Sequence, residues 1–506
     1  MSELSFDIRI ASVKRLLVDV RNFRLSIHRM TVLFGESGIG KSLISRSIYG
    51  LLDPGEFTVT VDGRPYEDYL ERIETREIRK HGFFVFQEPS SHLNPLLPLG
   101  IQLREGDLSA SSDELDLLKN LWDKTETRKI ENLLEVYPKP YRPSGGEKQR
   151  MFLAMALKKI DLTLESHRKE SQGIFIFDEP TGSLDNHFRD VFLSLLLRRF
   201  QEHHFTTLLI THDYSMVSEI TGKHKNLLDL ISFKELSLHE EKLDLKDFQP
   251  EVYLGWLHSQ RKVQKEKSRS DLDKPLLQVE SGVEIFGQHL TISKDVSGKG
   301  FCPLEIYPGT MTYLKAPSGT GKTTLVKAIM GLISADRLQV RLNGTTMTER
   351  TPRRFWQSHI WGKKMAMVFQ HADEALNPRS TIAETFYGLP SRRKVTPNTI
   401  RKILGELFDV ELSDEFLRRE VSALSGGQKQ RLNLLRSLFL DTDILILDEP
   451  LNGLDFESAT KVLAMLREKQ KAGKGILVIS HNEEIFDTLV EEEHVYYLHS
   501  KPVEAA

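Results

Sequence analysis

GESGIGKS, Gly35 to Ser42, decides the fold. It follows a short apolar stretch, Thr31-Val32-Leu33-Phe34, and precedes the apolar-periodic run Leu43 to Tyr49. That order predicts strand, glycine-rich turn and helix, the context of a phosphate-binding loop. Gly35, Gly38 and Gly40 permit a tight turn, so that the N–H groups of Glu36, Ser37, Ile39 and their neighbours face one concavity. The helix that starts there adds the positive end of its dipole. Lys41 is placed to reach outer phosphates, and the Ser42 hydroxyl suits Mg²⁺.

The loop recurs. APSGTGKT places Ala316, Pro317, Ser318, Gly319, Thr320, Gly321, Lys322 and Thr323 at the same positions. Four more segments repeat in the same order: VFQEPSSHLNP (Val85) with VFQHADEALNP (Val368), PSGGEKQR (Pro143) with LSGGQKQR (Leu424), IFIFDEPTGSLD (Ile174) with ILILDEPLNGLD (Ile444), and LLITHD (Leu208) with LVISHN (Leu477). Lys41 to Gln87 spans 46 positions and Lys322 to Gln370 spans 48; Asp178 to His212 spans 34 and Asp448 to His481 spans 33. The interval that differs is Ser144 to Asp178, 34 positions against 23 from Ser425 to Asp448. The surplus falls near KKIDLTLESHRKESQG and reads as an exposed extension.

Each half alternates strand and helix patterns, which predicts an α/β fold with a mostly parallel sheet. Ligands of such sheets bind at the carboxyl ends of the strands. Charged helical patterns at about 88–143 and about 371–423 predict a helical subdomain inserted in each half. The domains are expected at 1–257 and 276–506, joined by a solvated charged linker over 258–275.

Composition narrows the classes. The 506 residues exceed one ordinary core, and 39% hydrophobic with 28% charged residues is the balance of a globular protein. A net charge of −3 gives no case for nucleic-acid binding. One cysteine, Cys302, excludes an internal disulfide and all-cysteine zinc or iron–sulfur sites. No run of about 18 apolar residues exists, and the N-terminus does not read as a secretory signal. Work at a membrane would therefore require a partner.

Asp178 and Asp448 close apolar strands, where a carboxylate can hold a Mg²⁺ water shell opposite Ser42 or Thr323. The adjacent Glu179 and Glu449 are placed to polarise an attacking water. Gln87 and Gln370 end strands and can sense metal and water; His212 and His481 do so at matching distances and favour a γ-phosphate contact. Ser144-Gly145-Gly146-Glu147 and Ser425-Gly426-Gly427-Gln428 precede apolar-periodic runs, so each is a second helix N-terminus suited to an anion.

SGG followed by a polar residue and Lys-Gln-Arg, set between the Gln and the Asp-Glu strand, resembles the signature of ATP-binding-cassette (ABC) ATPases. The resemblance occurs twice and covers roughly Leu4 to Leu257 and Leu276 to Tyr497. It implies two P-loop cassettes that bind and hydrolyse ATP with Mg²⁺ and pair head to tail. One site would then join Lys41, Ser42, Gln87, Asp178, Glu179 and His212 to Ser425, Gly427 and Gln428. The other would join Lys322, Thr323, Gln370, Asp448, Glu449 and His481 to Ser144, Gly146 and Glu147. Asp185 and Asp455 would lie in the connecting loops. Ala316, Pro143, Glu147, Leu451 and Asn452 depart from the family pattern, and two working but unequal sites are expected, the second weaker. Phe286 in VEIFGQ is either an adenine-stacking aromatic or a core residue, and the first half has no aromatic at the matching place.

The LNP segments after Gln87 and Gln370 resemble those of the peptide and nickel importer ATPases. This implies a peripheral subunit on the cytoplasmic face of the inner membrane, partnered by permease subunits and, through them, a solute-binding protein. The alternative is a soluble two-cassette protein acting on ribosomes or another non-transport machine; the 64 positions from His212 to Leu276 leave little room for the charged helical arm such factors carry. A DNA-repair cassette would need zinc cysteines that one Cys cannot supply.

Overall fold

The structure is a computed structural model that describes residues 3–13, 15–88, 92–104, 114–122, 127–135, 143–165, 173–182, 184–239, 242–265, 274–317, 319–391 and 394–502. It divides into two compact units, Met1–Gly35 with Ile39–Pro250, and Glu36–Gly38 with Glu251–Ala506.

In the first unit the main sheet has six strands, in the order Lys242–Asp247, Ile231–His239, Met30–Gly35, Thr206–Ile210, Ile174–Asp178 and Phe83–Val85. All neighbours are parallel except the first pair. Met30–Gly35, Ile174–Asp178 and Thr206–Ile210 are buried along their whole length, as central strands covered on both faces must be. A four-stranded antiparallel sheet, Leu16–Ser26, Glu3–Ala11, Thr58–Val61 and Arg64–Pro65, joins one face through a core that includes Val18, Phe23, Ile44, Ile48, Ile176 and Ile210.

The second unit repeats the plan. Its seven-stranded sheet runs Val283–Ile285, Gln288–Ser293, Val495–Pro502, Met311–Lys315, Gly475–Ile479, Ile444–Asp448 and Met365–Val368, with an antiparallel sheet of Leu304–Ile306, Leu277–Val279, Gln339–Leu342 and Thr345–Thr348. Period-two alternation splits the central strand Ile444–Asp448 between two cores. Leu445 and Leu447 pack with Tyr313, Val368 and Val478, whereas Ile444 and Ile446 pack with Leu325, Ile329 and Ile479.

Helices occupy both expected inserts: Leu99–Arg104, Glu114–Leu121 and Thr127–Glu135 in the first, Pro397–Leu404 and Asp414–Arg418 in the second. The structure sharpens two sequence expectations. The helix Pro250–Lys265 runs into the start of the expected linker; its buried residues Tyr253 and Leu257 precede position 258, and His258, Ser259 and Arg261 are exposed. The remainder of the expected linker, 266–273, lies outside the described residues. The surplus after the first signature begins as added helix, since Gly145–Glu165 has 21 residues and Gly426–Phe439 has 14. That added helix is packed and not an exposed extension, because Ile160 is fully buried and Asp161 receives a bidentate pair from Arg199 at 2.7 and 2.8 Å; the rest of the surplus, 166–172, lies outside the described residues. Among the described residues no helix is long and apolar enough to cross a membrane.

Candidate functional site

Each glycine-rich loop leaves the end of a buried strand and enters a helix, Lys41–Tyr49 or Lys322–Ile329. Gly38, Gly40, Gly319 and Gly321 all adopt positive φ, which aims the loop N–H groups inward. A Cβ on Gly35 would lie 2.3 Å from the Leu236 carbonyl oxygen, so the first loop requires glycine there. Its counterpart Ala316 has no positive φ, and the substitution costs no backbone strain. Lys41 Nζ donates to the Gly35 carbonyl at 2.7 Å, and Lys322 Nζ donates to the Ala316 and Pro317 carbonyls at 2.5 and 3.3 Å. Ser318 lies outside the described residues.

Parallel register sets the acidic pair against the loop. Asp178 is opposite Ile210 and Asp448 is opposite Ile479. The Ser42 hydroxyl donates to Asp178 Oδ1 at 3.0 Å, leaving Oδ2 buried without a hydrogen-bond partner among the described residues. Both Asp448 carboxylate oxygens are buried and equally unpartnered, while the Thr323 hydroxyl donates to Gln370 Oε1 at 3.5 Å. Burial pushes the Asp178 carboxyl up to about 6 and raises Asp448 too. Unpaired carboxylate oxygens beside a hydroxyl and an amide oxygen form a donor set that fits Mg²⁺.

The next residue of each chain segment breaks a backbone rule identically. Glu179 and Glu449 have φ of 46° and 50°, a conformation unfavourable for a residue with a Cβ. Their N–H groups are held by the carbonyls of Ile210 and Ile479 at 3.0 and 2.9 Å. Their carboxylates then meet unlike surroundings. Glu179 accepts from Gln87 Nε2 at 2.9 Å, with His212 Nδ1 at 3.3 Å and Lys41 Nζ at 3.8 Å. Burial alone would raise its carboxyl, but His212 and Lys41 outweigh burial and bring it down to about 2. Glu449 accepts from the Ser480 hydroxyl and the His481 N–H, both at 3.1 Å, with His481 Nε2 at 3.5 Å. There burial wins and lifts the carboxyl to about 7.

The two signatures open helices, as their spacing predicts. Ser425 and Gln428 form a reciprocal capping box at 3.0 and 3.2 Å. Glu147 caps Ser144 N at 2.8 Å but, as a carboxylate, also accepts from the Ser144 hydroxyl at 2.9 Å and pairs with Lys129 at 3.2 Å. Its charge is thus compensated within the first cassette. Asp185 and Asp455 each cap the following helix, through Phe188 N and Ser458 N.

Phe286 forms the turn of the hairpin Val283–Ile285 to Gln288–Ser293, with φ of 50° and 81% exposure, which removes the core reading. Leu290 of that hairpin lies 3.7 Å from a Cβ built on Gly321, and Val18 lies closer, at 2.7 Å, to one built on Gly40. The equivalent turn of the first unit offers the exposed Val13. Sequence reading gave no role to Gln149, which is buried and donates to the Pro180 carbonyl at 2.8 Å, or to Arg150, held between the rings of Trp122 and Phe188 at 4.5 and 4.2 Å. Both follow SGG in the same repeated motif, which was the available signal.

Two phosphate loops, each with an acidic strand end, glutamine and histidine around it, define a tandem nucleotide-hydrolysing protein. A family model described as ABC transporter matches residues 18–182 and 302–452, and the chain belongs to that family as a tandem ATPase. It is similar, at 26% identity over 526 residues, to the glutathione import ATP-binding protein GsiA of Escherichia coli (strain K12), covering 95% of this chain and 82% of the relative. The GsiA of Shigella dysenteriae serotype 1 (strain Sd197) gives the same figures. In fold it is similar to the archaeal ribosome recycling factor aABCE1, solved with the ribosomal stalk protein aP1 (TM-score 0.58, 19% identity, 94% of this chain and 86% of that one). It is likewise similar to an RNase-L inhibitor (TM-score 0.58, 20% identity, 94% and 86%). At these identities the structural likeness concerns the fold.

Proposed function

We propose that the chain is the energising subunit of a membrane importer, hydrolysing Mg·ATP to drive uptake of peptides or similar solutes. The likeness to GsiA along 95% of the chain carries this reading. Mg²⁺ would be held by Ser42, Asp178 and Gln87 in one site and by Thr323, Asp448 and Gln370 in the other. The metal supplies charge neutralisation on the phosphates. Glu179 and Glu449 orient the attacking water, Lys41 and Lys322 grip outer phosphates, and His212 and His481 contact the γ-phosphate. By the family resemblance, Ser425–Gln428 and Ser144–Glu147 would each complete the opposite cassette's site.

Leu96 and Ile101, 79% and 52% exposed beyond the first glutamine, are the apolar side chains there that a docked partner would cover. The partner proposed is a pair of permease subunits at the cytoplasmic face of the membrane. Among the described residues, the interval in which a ribosome-contacting arm would fall holds the helix Ser215–Lys223, the strands Ile231–His239 and Lys242–Asp247, and the helix Pro250–Lys265.

The test is uptake. A deletion strain is expected to lose import of labelled glutathione or oligopeptide and regain it from a plasmid copy, but not from a copy carrying Glu179→Gln with Glu449→Gln. Undiminished uptake across peptide, glutathione and nickel substrates, with the protein sedimenting on ribosomes, would overturn the reading.

A further inference from the structure

The helix Pro250–Lys265 belongs to the second unit from Glu251 onward. Tyr253 on it is fully buried, and its hydroxyl donates to Glu484 Oε2 at 2.8 Å. The Tyr253 ring meets Phe456 edge-on at 5.8 Å, and Trp256 meets the same ring at 5.6 Å. Both contacted residues stand beside site residues. Phe456 is the first residue of the helix that Asp455 caps. Glu484 lies in the first turn of the helix Glu483–Leu489, three residues beyond His481, whose N–H donates to Glu449.

The first cassette joins the same two loops by other chemistry. Arg189, on the helix capped by Asp185, donates to Asp213 Oδ2 at 2.7 Å and to the Ser215 hydroxyl at 2.6 Å, directly after His212. Its guanidinium is nearly buried and also pairs with Asp190 at 2.8 Å. The aligned positions of the second cassette are Ala459 and Asn482, which cannot form that ion pair. An alanine beside an asparagine would leave the histidine loop and the Asp455 loop untied by this route. Tyr253 and Trp256, which lie beyond the last repeated motif of the first half, fill the gap.

We propose that Tyr253 is a positioning residue for the second ATP site, standing in for the Arg189–Asp213 clamp. The helix Pro250–Lys265 thereby fixes the His481 loop against the Asp455 loop, and the second site depends on residues that no cassette motif contains. This inference rests on the reading of Glu449 and His481 as hydrolytic residues. Tyr253→Phe keeps the ring and its packing but removes the donor from the half-buried Glu484 carboxylate, so it acts on placement and not on ATP contact.

The test uses the full chain in two backgrounds, Glu179→Gln to report the second site and Glu449→Gln to report the first. In the Glu179→Gln background Tyr253→Phe is expected to lower kcat about tenfold with KM for ATP within about twofold, a loss confined to the transition state. In the Glu449→Gln background it is expected to be silent. Glu484→Gln still accepts from the Tyr253 hydroxyl and should keep kcat, whereas Glu484→Leu should lose it as Tyr253→Phe does. A purely structural role would lower the melting temperature and leave the kcat-to-KM balance alone. Unchanged kcat in both Tyr253→Phe and Glu484→Leu, or equal losses in the two backgrounds, overturns the proposal. If adding Glu449→Gln to Glu179→Gln removes no further activity, it is the assignment of Glu449 that fails.

Discussion

Glu179→Gln and Glu449→Gln are the same substitution at equivalent positions of a repeat, yet they are expected to change stability in opposite directions. In the nucleotide-free and metal-free protein, Glu179 is 8% exposed and its carboxylate is clasped by His212, Lys41 and Gln87, which hold it down to about 2 from an ordinary 4.5. A depressed carboxyl contributes stability above its unfolded value and loses it as pH falls toward 2, so the contribution is complete at pH 8. Glu449 is 4% exposed, meets neutral donors and is lifted to about 7. A raised carboxyl is a burden once the pH passes its unfolded value, growing until the pH exceeds about 7. Each displacement is worth on the order of 3 kcal/mol. Gln is the shape of either acid without its charge. At pH 8 in EDTA, Glu179→Gln should therefore lower the melting transition of its cassette by about 6–12 °C, and Glu449→Gln should raise that of its own by a similar amount. The Glu449→Gln gain should shrink at pH 5, where wild-type Glu449 is protonated. Calorimetry on the two variants decides it, and shifts of the same sign would refute the electrostatic reasoning.

Further expectations concern single side chains. Phe286→Ala removes an exposed ring, so stability should stay within about 0.5 kcal/mol while KM for ATP at the second site rises about two- to tenfold, measured in the Glu179→Gln background. Arg189→Leu strands the half-buried Asp213 carboxylate and should destabilise the first cassette by about 1.5–3 kcal/mol at pH 8. Burial raises Asp213, but Arg189 and Ser215 hold it below the ordinary range, so the gap between variant and wild type should close as pH falls through the acid range. Denaturant titrations at pH 8 and pH 4 check this. Glu147→Gln frees the Ser144 hydroxyl and, on the proposed pairing, should increase turnover in the Glu179→Gln background severalfold.

Much of the site was legible because it is local. GESGIGKS carries its own turn, helix start and lysine, and repetition in APSGTGKT turned one motif into a tandem architecture. The buried runs IFIFD and ILILD placed Asp178 and Asp448 at strand ends. What escaped the sequence is set by tertiary surroundings. The positive φ of Glu179 and Glu449 has no composition signal, and the opposite fates of their carboxyls depend on whether His212 presents a ring nitrogen or His481 a backbone N–H. Glu147 reads as a charge near phosphate, but the structure neutralises it with Lys129. The helix Pro250–Lys265 was hidden because its Lys- and Arg-rich end looks like linker, whereas Tyr253 and Trp256 near its start do the packing. Phe286 could not be sorted between core and surface until the hairpin fixed its turn.

The importer account is tested most directly by ATP hydrolysis in proteoliposomes. The chain reconstituted with permease subunits encoded beside its gene, in vesicles loaded with the cognate binding protein and peptide, should hydrolyse ATP many times faster than the chain alone. It should lose that stimulation when Leu96 and Ile101 are changed to Asp. Hydrolysis that ignores the permease subunits but rises on adding ribosomes would contradict the account.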